Sequence, residues 1–178
     1  MPNNYAFIDS QNVHLGVRDQ GWLLDWRRFR VYLREKYDVA QAYVFIGYRQ
    51  SNESLYTALQ KAGYILIFKP TLEFRYGKRM VTKGNVDAEL VLHTMIEYPN
   101  YDQAVIVSGD GDFHCLIKYL FEQGKLRRLI VPNLYKYSRL LRAFSQHITY
   151  LNKLREKVGA IKTRGISSGR NPLDSLSS

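Results

Sequence analysis

Short runs of apolar residues recur along the chain, and their character constrains the fold class. They fall at residues 5–8 (YAFI), 42–46 (AYVFI), 64–68 (YILIF), 104–107 (AVIV) and 129–131 (LIV), with a weaker one at 148–151 (ITYL). None alternates polar with apolar. Strands covered on both faces read this way, which is the habit of parallel sheets. The segments between them carry helical spacing: Trp26, Phe29 and Leu33; Leu55, Leu59 and Ala62; Leu90, Val91 and Met95; Leu116, Tyr119 and Leu120. Strand and helix therefore alternate. The pattern predicts a three-layer α/β/α, Rossmann-like fold with a mainly parallel sheet of about five strands in the order 3-2-1-4-5.

With 178 residues, of which 46% are hydrophobic, the chain suits one domain with a real core. Residues 1–156 are expected to form that domain. From 157 onward the text is first basic, then rich in Ser and Gly, without an apolar period, and is expected to be a flexible tail to 178. No secretory leader is visible and no apolar run reaches the roughly 20 residues of a membrane span. The expected compartment is a reducing cytoplasm, with no membrane partner. The single cysteine, Cys115, excludes a disulfide framework and a thiolate metal cluster, and is expected to be a buried free thiol.

The net charge of +10 is unevenly spread. Residues 1–117 carry 13 basic and 13 acidic side chains, whereas residues 118–170 carry 13 basic and only 2 acidic ones. A basic surface of that kind suits a polyanion. A second basic segment, 69–83, interleaves Lys69, Arg75, Lys78, Arg79 and Lys83 with Phe74 and Tyr76 around a Tyr-Gly-Lys turn. A basic hairpin there would place cations on phosphates and rings under bases of a single strand. Arg127, Arg128, Lys136, Arg139 and Arg142 are further candidates for holding nucleic acid.

Carboxylates fall where strands end. Asp9 directly follows the first apolar run, and Asn12 lies three residues on. Asp110 and Asp112 follow the run at 104–107 through Ser108 and Gly109. Asp87 falls in the first turn of the helix that follows the basic segment. In the expected strand order the first and fourth strands are neighbours at the topological switch point, so Asp9 and Asp110 should meet there. Four carboxylates in one cleft repel, and Mg²⁺ or Mn²⁺ would relieve that repulsion with an all-oxygen ligand set. A hard cation beside a basic surface is the layout of phosphodiester hydrolysis. The scattered His14, His93 and His147 show no zinc spacing, and Gly-rich phosphate fingerprints are absent.

The same residues carry a resemblance. Asp9-x-x-Asn12, Lys83-Gly84-Asn85-Val86-Asp87 and Ser108-Gly109-Asp110-Gly111-Asp112-Phe113 resemble the three motifs of the NYN domain family, the LabA-like branch of the PIN-like nuclease fold. Many relatives have Gly after the first Asp, where this chain has Ser10. The resemblance implies a Mg²⁺- or Mn²⁺-dependent ribonuclease with Asp9, Asp87, Asp110 and Asp112 around the metal, supported by Asn12 and Ser108. The expected substrate is single-stranded or loop RNA, with DNA left open because nothing in the chain reports on the 2′-hydroxyl. The alternative is a non-catalytic RNA-binding or regulatory protein that keeps the fold. A homodimer is compatible with either.

Overall fold

Each apolar run becomes a strand, and the first lies near the middle of the sheet. The computed structural model describes residues 1–69, 72–76, 79–83 and 86–161, without the side chains of the hairpin and of Val86. The strands are β1 (Asn4–Asp9), β2 (Val39–Gly47), β3 (Ile65–Lys69), β4 (Leu72–Tyr76), β5 (Arg79–Lys83), β6 (Ala104–Val107), β7 (Leu126–Val131) and β8 (Ile148–Tyr150). Six of them form one sheet in the order β3-β2-β1-β6-β7-β8. All of its ladders are parallel. The expected order therefore holds, with β8 added as a sixth strand at the edge. β4 and β5 form a separate antiparallel hairpin within the basic segment.

Parallel neighbours need crossovers, and helices supply most of them. They are α1 (Ser10–Arg18), α2 (Trp26–Tyr37), α3 (Glu53–Lys61), α4 (Val86–Ile96) and α5 (His114–Glu122); the short α6 (Arg155–Val158) follows β8. The β1 residues Ala6 and Ile8 face one side, where Val13, Phe29, Leu33 and Leu59 from α1, α2 and α3 cover them. Tyr5 and Phe7 face the other, with Leu90 of α4 and Leu116, Ile117 and Leu120 of α5. This two-sided burial is why the runs lack polar alternation. Each large apolar side chain so buried stabilises the fold by about 1.5–3 kcal/mol.

Short polar side chains set the helix starts. The Asp9 carboxylate accepts the Asn12 N–H at 3.2 Å and caps α1. Asp25 accepts the Arg28 N–H at 3.1 Å and caps α2 in the same way. α2 ends at Asp38, whose left-handed φ of 55° turns the chain straight into β2.

Two expectations are corrected. Cys115 is free but exposed: the buried stripe of α5 is Leu116, Ile117 and Leu120, which turns the thiol to solvent. The packed body also runs past 156. Val158 is fully buried, its carbonyl accepts the Asp25 N–H at 2.8 Å, and Gly159 bridges to Leu24. The rest of the expected tail, 162–178, lies outside the described residues.

Candidate active site

Two strand exits meet at the carboxyl edge of the sheet. β1 and β6 are adjacent and parallel, so the turns that follow them lie side by side. Asn12 Oδ1 accepts the Gly109 N–H at 2.8 Å and ties the two turns together. The Ser108 hydroxyl donates to the Asp9 carboxylate at 3.3 Å and accepts the Asp110 N–H at 3.1 Å. Asp110 in turn accepts the Asp112 N–H at 3.0 Å, capping a short 3-10 turn that leads into α5. Asp112 is thus the capped residue. Ser10 is buried, and its hydroxyl donates to the Phe45 carbonyl at 2.7 Å. That bond ties α1 to β2.

Asp87, Asp110 and Asp112 each place a carboxylate oxygen within 4.8 Å of the others. They come from the start of α4 and from the exit of β6, segments more than twenty positions apart. Asp112 is exposed, whereas Asp87 and Asp110 are half-buried. Asp9 is 4% exposed and stands next to this trio rather than within it, joined to Asp110 through Ser108.

The electrostatics reflect the crowding. Burial, reinforced by the charges of Asp110, Asp9 and Asp112, pushes the Asp87 carboxyl up to about 6. Burial also raises Asp9, against the Asn12 N–H, the Lys69 charge and the Ser108 hydroxyl, which hold it down. Three carboxylate oxygens at this spacing form a hard, oxygen-only donor set that fits Mg²⁺ or Mn²⁺. A bound divalent cation would favour their ionised forms.

Lys69 changes place relative to the sequence reading. It is the last residue of β3, not a hairpin residue, and is only 6% exposed. Burial lowers its ammonium, while Asp9 and Asp87 act on it in the opposite direction. A cation thus stands within the field of the acids. The signal that marks Asp9, a charged residue directly after an apolar run, marks Lys69 as well.

The other basic candidates scatter. Arg127 and Arg128 lie near the amino end of β7, away from the carboxylate edge, and Arg128 donates to the Gln146 carbonyl at 2.9 Å. Lys136 pairs with Asp19 at 2.9 Å on the surface. Arg139 and Arg142 are exposed on the segment between β7 and β8. That segment packs on the acid loop: the Ser138 N–H donates to the Gly109 carbonyl at 3.0 Å. The side chains of Arg75, Lys78, Arg79 and Lys83 lie outside the described residues. A groove of about 620 Å³, lined by Arg28, Tyr32 and Lys157 among others, shares no residue with the carboxylate group.

A parallel sheet in this order, with three carboxylates converging on its carboxyl edge, defines a nuclease-like α/β domain. The chain belongs to the NYN domain family, whose model matches residues 5–153. It is similar to the "Low amplitude and bright protein LabA" of Synechococcus elongatus, with 32% identity over 121 residues, 64% of this chain. The match spans 65% of LabA, just under two thirds of that relative's length. A crystal structure of a protein of unknown function from Vibrio parahaemolyticus shares the fold, with a TM-score of 0.71 at 20% identity. That likeness covers 89% of this chain and 96% of the other. Among the described residues, no helix is long and apolar enough to cross a membrane.

Proposed function

We propose that this chain is a Mg²⁺- or Mn²⁺-dependent endoribonuclease acting on single-stranded or loop RNA. The observation that carries the reading is the convergence of Asp87, Asp110 and Asp112 within 4.8 Å at the carboxyl edge. These three residues would hold the cation. When bound, the ion would polarise the phosphoryl oxygen and lower the pKa of the attacking water.

The chain's own groups do the rest. Ser108 and the Asn12 N–H orient Asp9, so that its charge acts on the cluster from a fixed direction. Asp112, the exposed member, would take a proton at its carboxylate from an incoming water. Lys69, buried in the field of Asp9 and Asp87, would add positive potential where a phosphate's non-bridging oxygens gain charge. Arg139, Arg142 and the basic residues of 69–83 would hold the strand by phosphate contacts, which makes binding salt-dependent. The free thiol of Cys115 suits a reducing cytoplasm.

The test is cleavage of end-labelled RNA with Mg²⁺, Mn²⁺ or EDTA. Internal cuts in single-stranded RNA, abolished by EDTA and weak on duplex RNA, support the reading. Salt-sensitive RNA binding without cleavage under any of these conditions would replace it with the non-catalytic alternative.

A further inference from the structure

On the other side of the strand end that delivers Lys69, two large rings stand open. Phe68 is 41% exposed and Tyr48 is 48% exposed. Gly47 and Lys69 are paired in the β2–β3 ladder, so Tyr48 follows one partner and Phe68 precedes the other. The two rings meet edge to face at 5.6 Å. Beneath them lies Tyr56 of α3, buried at 6%, with its ring 4.9 Å from Phe68 and 5.8 Å from Tyr48. Its hydroxyl donates to the Gly47 carbonyl at 3.0 Å and accepts the Arg49 N–H at 2.7 Å. The exposed rings therefore stand on a fixed base rather than on a loose loop.

Leaving this much aromatic surface in water forgoes burial that would stabilise the fold. The position says what would cover it. Two strand spacings of about 4.8 Å separate β3 from β1, so Phe68 lies roughly 10 Å from Asp9 between backbones. Arg49, half-buried, follows Tyr48 in sequence, whereas Lys69 is buried in the field of Asp9 and Asp87. Rigid rings next to a carboxylate edge match the chemistry of a nucleobase joined to a phosphodiester.

We propose that Tyr48 and Phe68 form a stacking subsite for a base of single-stranded nucleic acid close to the scissile phosphate. The subsite rests on the reading of the carboxylate edge as a phosphodiester site. It adds a contact that is blind to base sequence, because every base has a π-face. It is also neutral, so it adds affinity without adding salt dependence.

The test uses the full chain in EDTA, a fluorescein-labelled single-stranded RNA containing 2-aminopurine, and the variants Tyr48→Leu, Phe68→Leu and Tyr48→Phe. Stacking quenches 2-aminopurine on binding. The Leu variants should weaken binding by about tenfold to a hundredfold and relieve the quench. Tyr48→Phe should retain both. The slope of log affinity against log salt should not change, since no phosphate contact is removed. A 5-iodouridine RNA should photo-crosslink to Tyr48 or Phe68 of the unaltered chain, which guards against a variant that misfolds. Unchanged affinity in both Leu variants, with crosslinks elsewhere, overturns the subsite and leaves the ribonuclease reading standing. A shift from dimer to monomer in the Leu variants, with RNA affinity unchanged, overturns it in favour of a protein interface. Failure of the unaltered chain to bind RNA overturns the ribonuclease reading and the subsite together.

Discussion

Asn12 accepts the Gly109 N–H at 2.8 Å, so one side chain on α1 fixes the exits of the two strands that carry Asp9 and Asp110. Gly109 is buried, so shortening Asn12 leaves its N–H without this acceptor. Asn12→Ala should therefore cost about 1–3 kcal/mol, the penalty for an unsatisfied buried N–H. Urea denaturation reads this directly. Cleavage should fall further than stability, because both carboxylate turns lose their common anchor. An unchanged midpoint would show that the turns hold each other without Asn12.

Gly111 is required by a close approach. A Cβ there would run into the Ser138 hydroxyl and come within 2.9 Å of Ser138 Cβ. Gly111→Ala should destabilise by about 1–3 kcal/mol, as overpacking does. Adding Ser138→Gly should recover much of the loss, and a double-mutant cycle measures the coupling. Additive effects would mean that the two segments do not touch in solution.

Lys69→Met keeps the apolar stem and removes the charge. The metal-free protein should melt lower, because Asp9 and Asp87 lose a nearby cation. Under saturating RNA, kcat should fall by about a hundredfold if the ammonium meets developing charge on the phosphate. Lys69→Arg should restore part of the melting temperature. Wild-type kcat in Lys69→Met would make the residue a structural counter-ion only.

The raised Asp87 carboxyl has a signed consequence for stability. Its ordinary value is 3.8 and its folded value is about 6. Between these limits the folded state binds more protons than the unfolded state, so stability in EDTA should fall as pH rises from about 4 to 6. Asp9, also raised, adds in the same direction. Asp87→Asn should flatten the profile, and millimolar Mg²⁺ should reverse the slope by favouring the ionised form. Thermal melts across pH 4–7, with and without Mg²⁺, decide it. A stability that rises over this window in EDTA would mean the acids are not crowded.

What could be read from the chain follows from burial. β1 and β6 are covered on both faces, so their runs are uninterrupted and their exits mark Asp9 and Asp110. β8 is an edge strand of three half-buried residues, and its signal is correspondingly faint. Lys69 reads as a cation but not as a buried one, because its burial comes from the tertiary fold rather than from the run that it ends. The outward turn of Cys115 depends on which stripe of α5 meets the sheet, and adjacent apolar residues leave that stripe ambiguous. Arg127 and Arg128 counted toward a basic surface in composition, yet they sit at the opposite end of β7 from the acids. Phe68 closes the apolar run 64–68, where the sequence does not separate an exposed edge-strand ring from a core one, and Tyr48 lies outside every run.

The most direct test of the carboxylate centre compares the wild-type chain with Asp110→Asn on labelled single-stranded RNA in Mn²⁺. Asn retains the oxygen that accepts the Asp112 N–H, so the loop should keep its shape. Loss of cleavage, with RNA binding equal or tighter, is the expected result. Cleavage by Asp110→Asn at the wild-type rate would contradict a centre built on Asp87, Asp110 and Asp112.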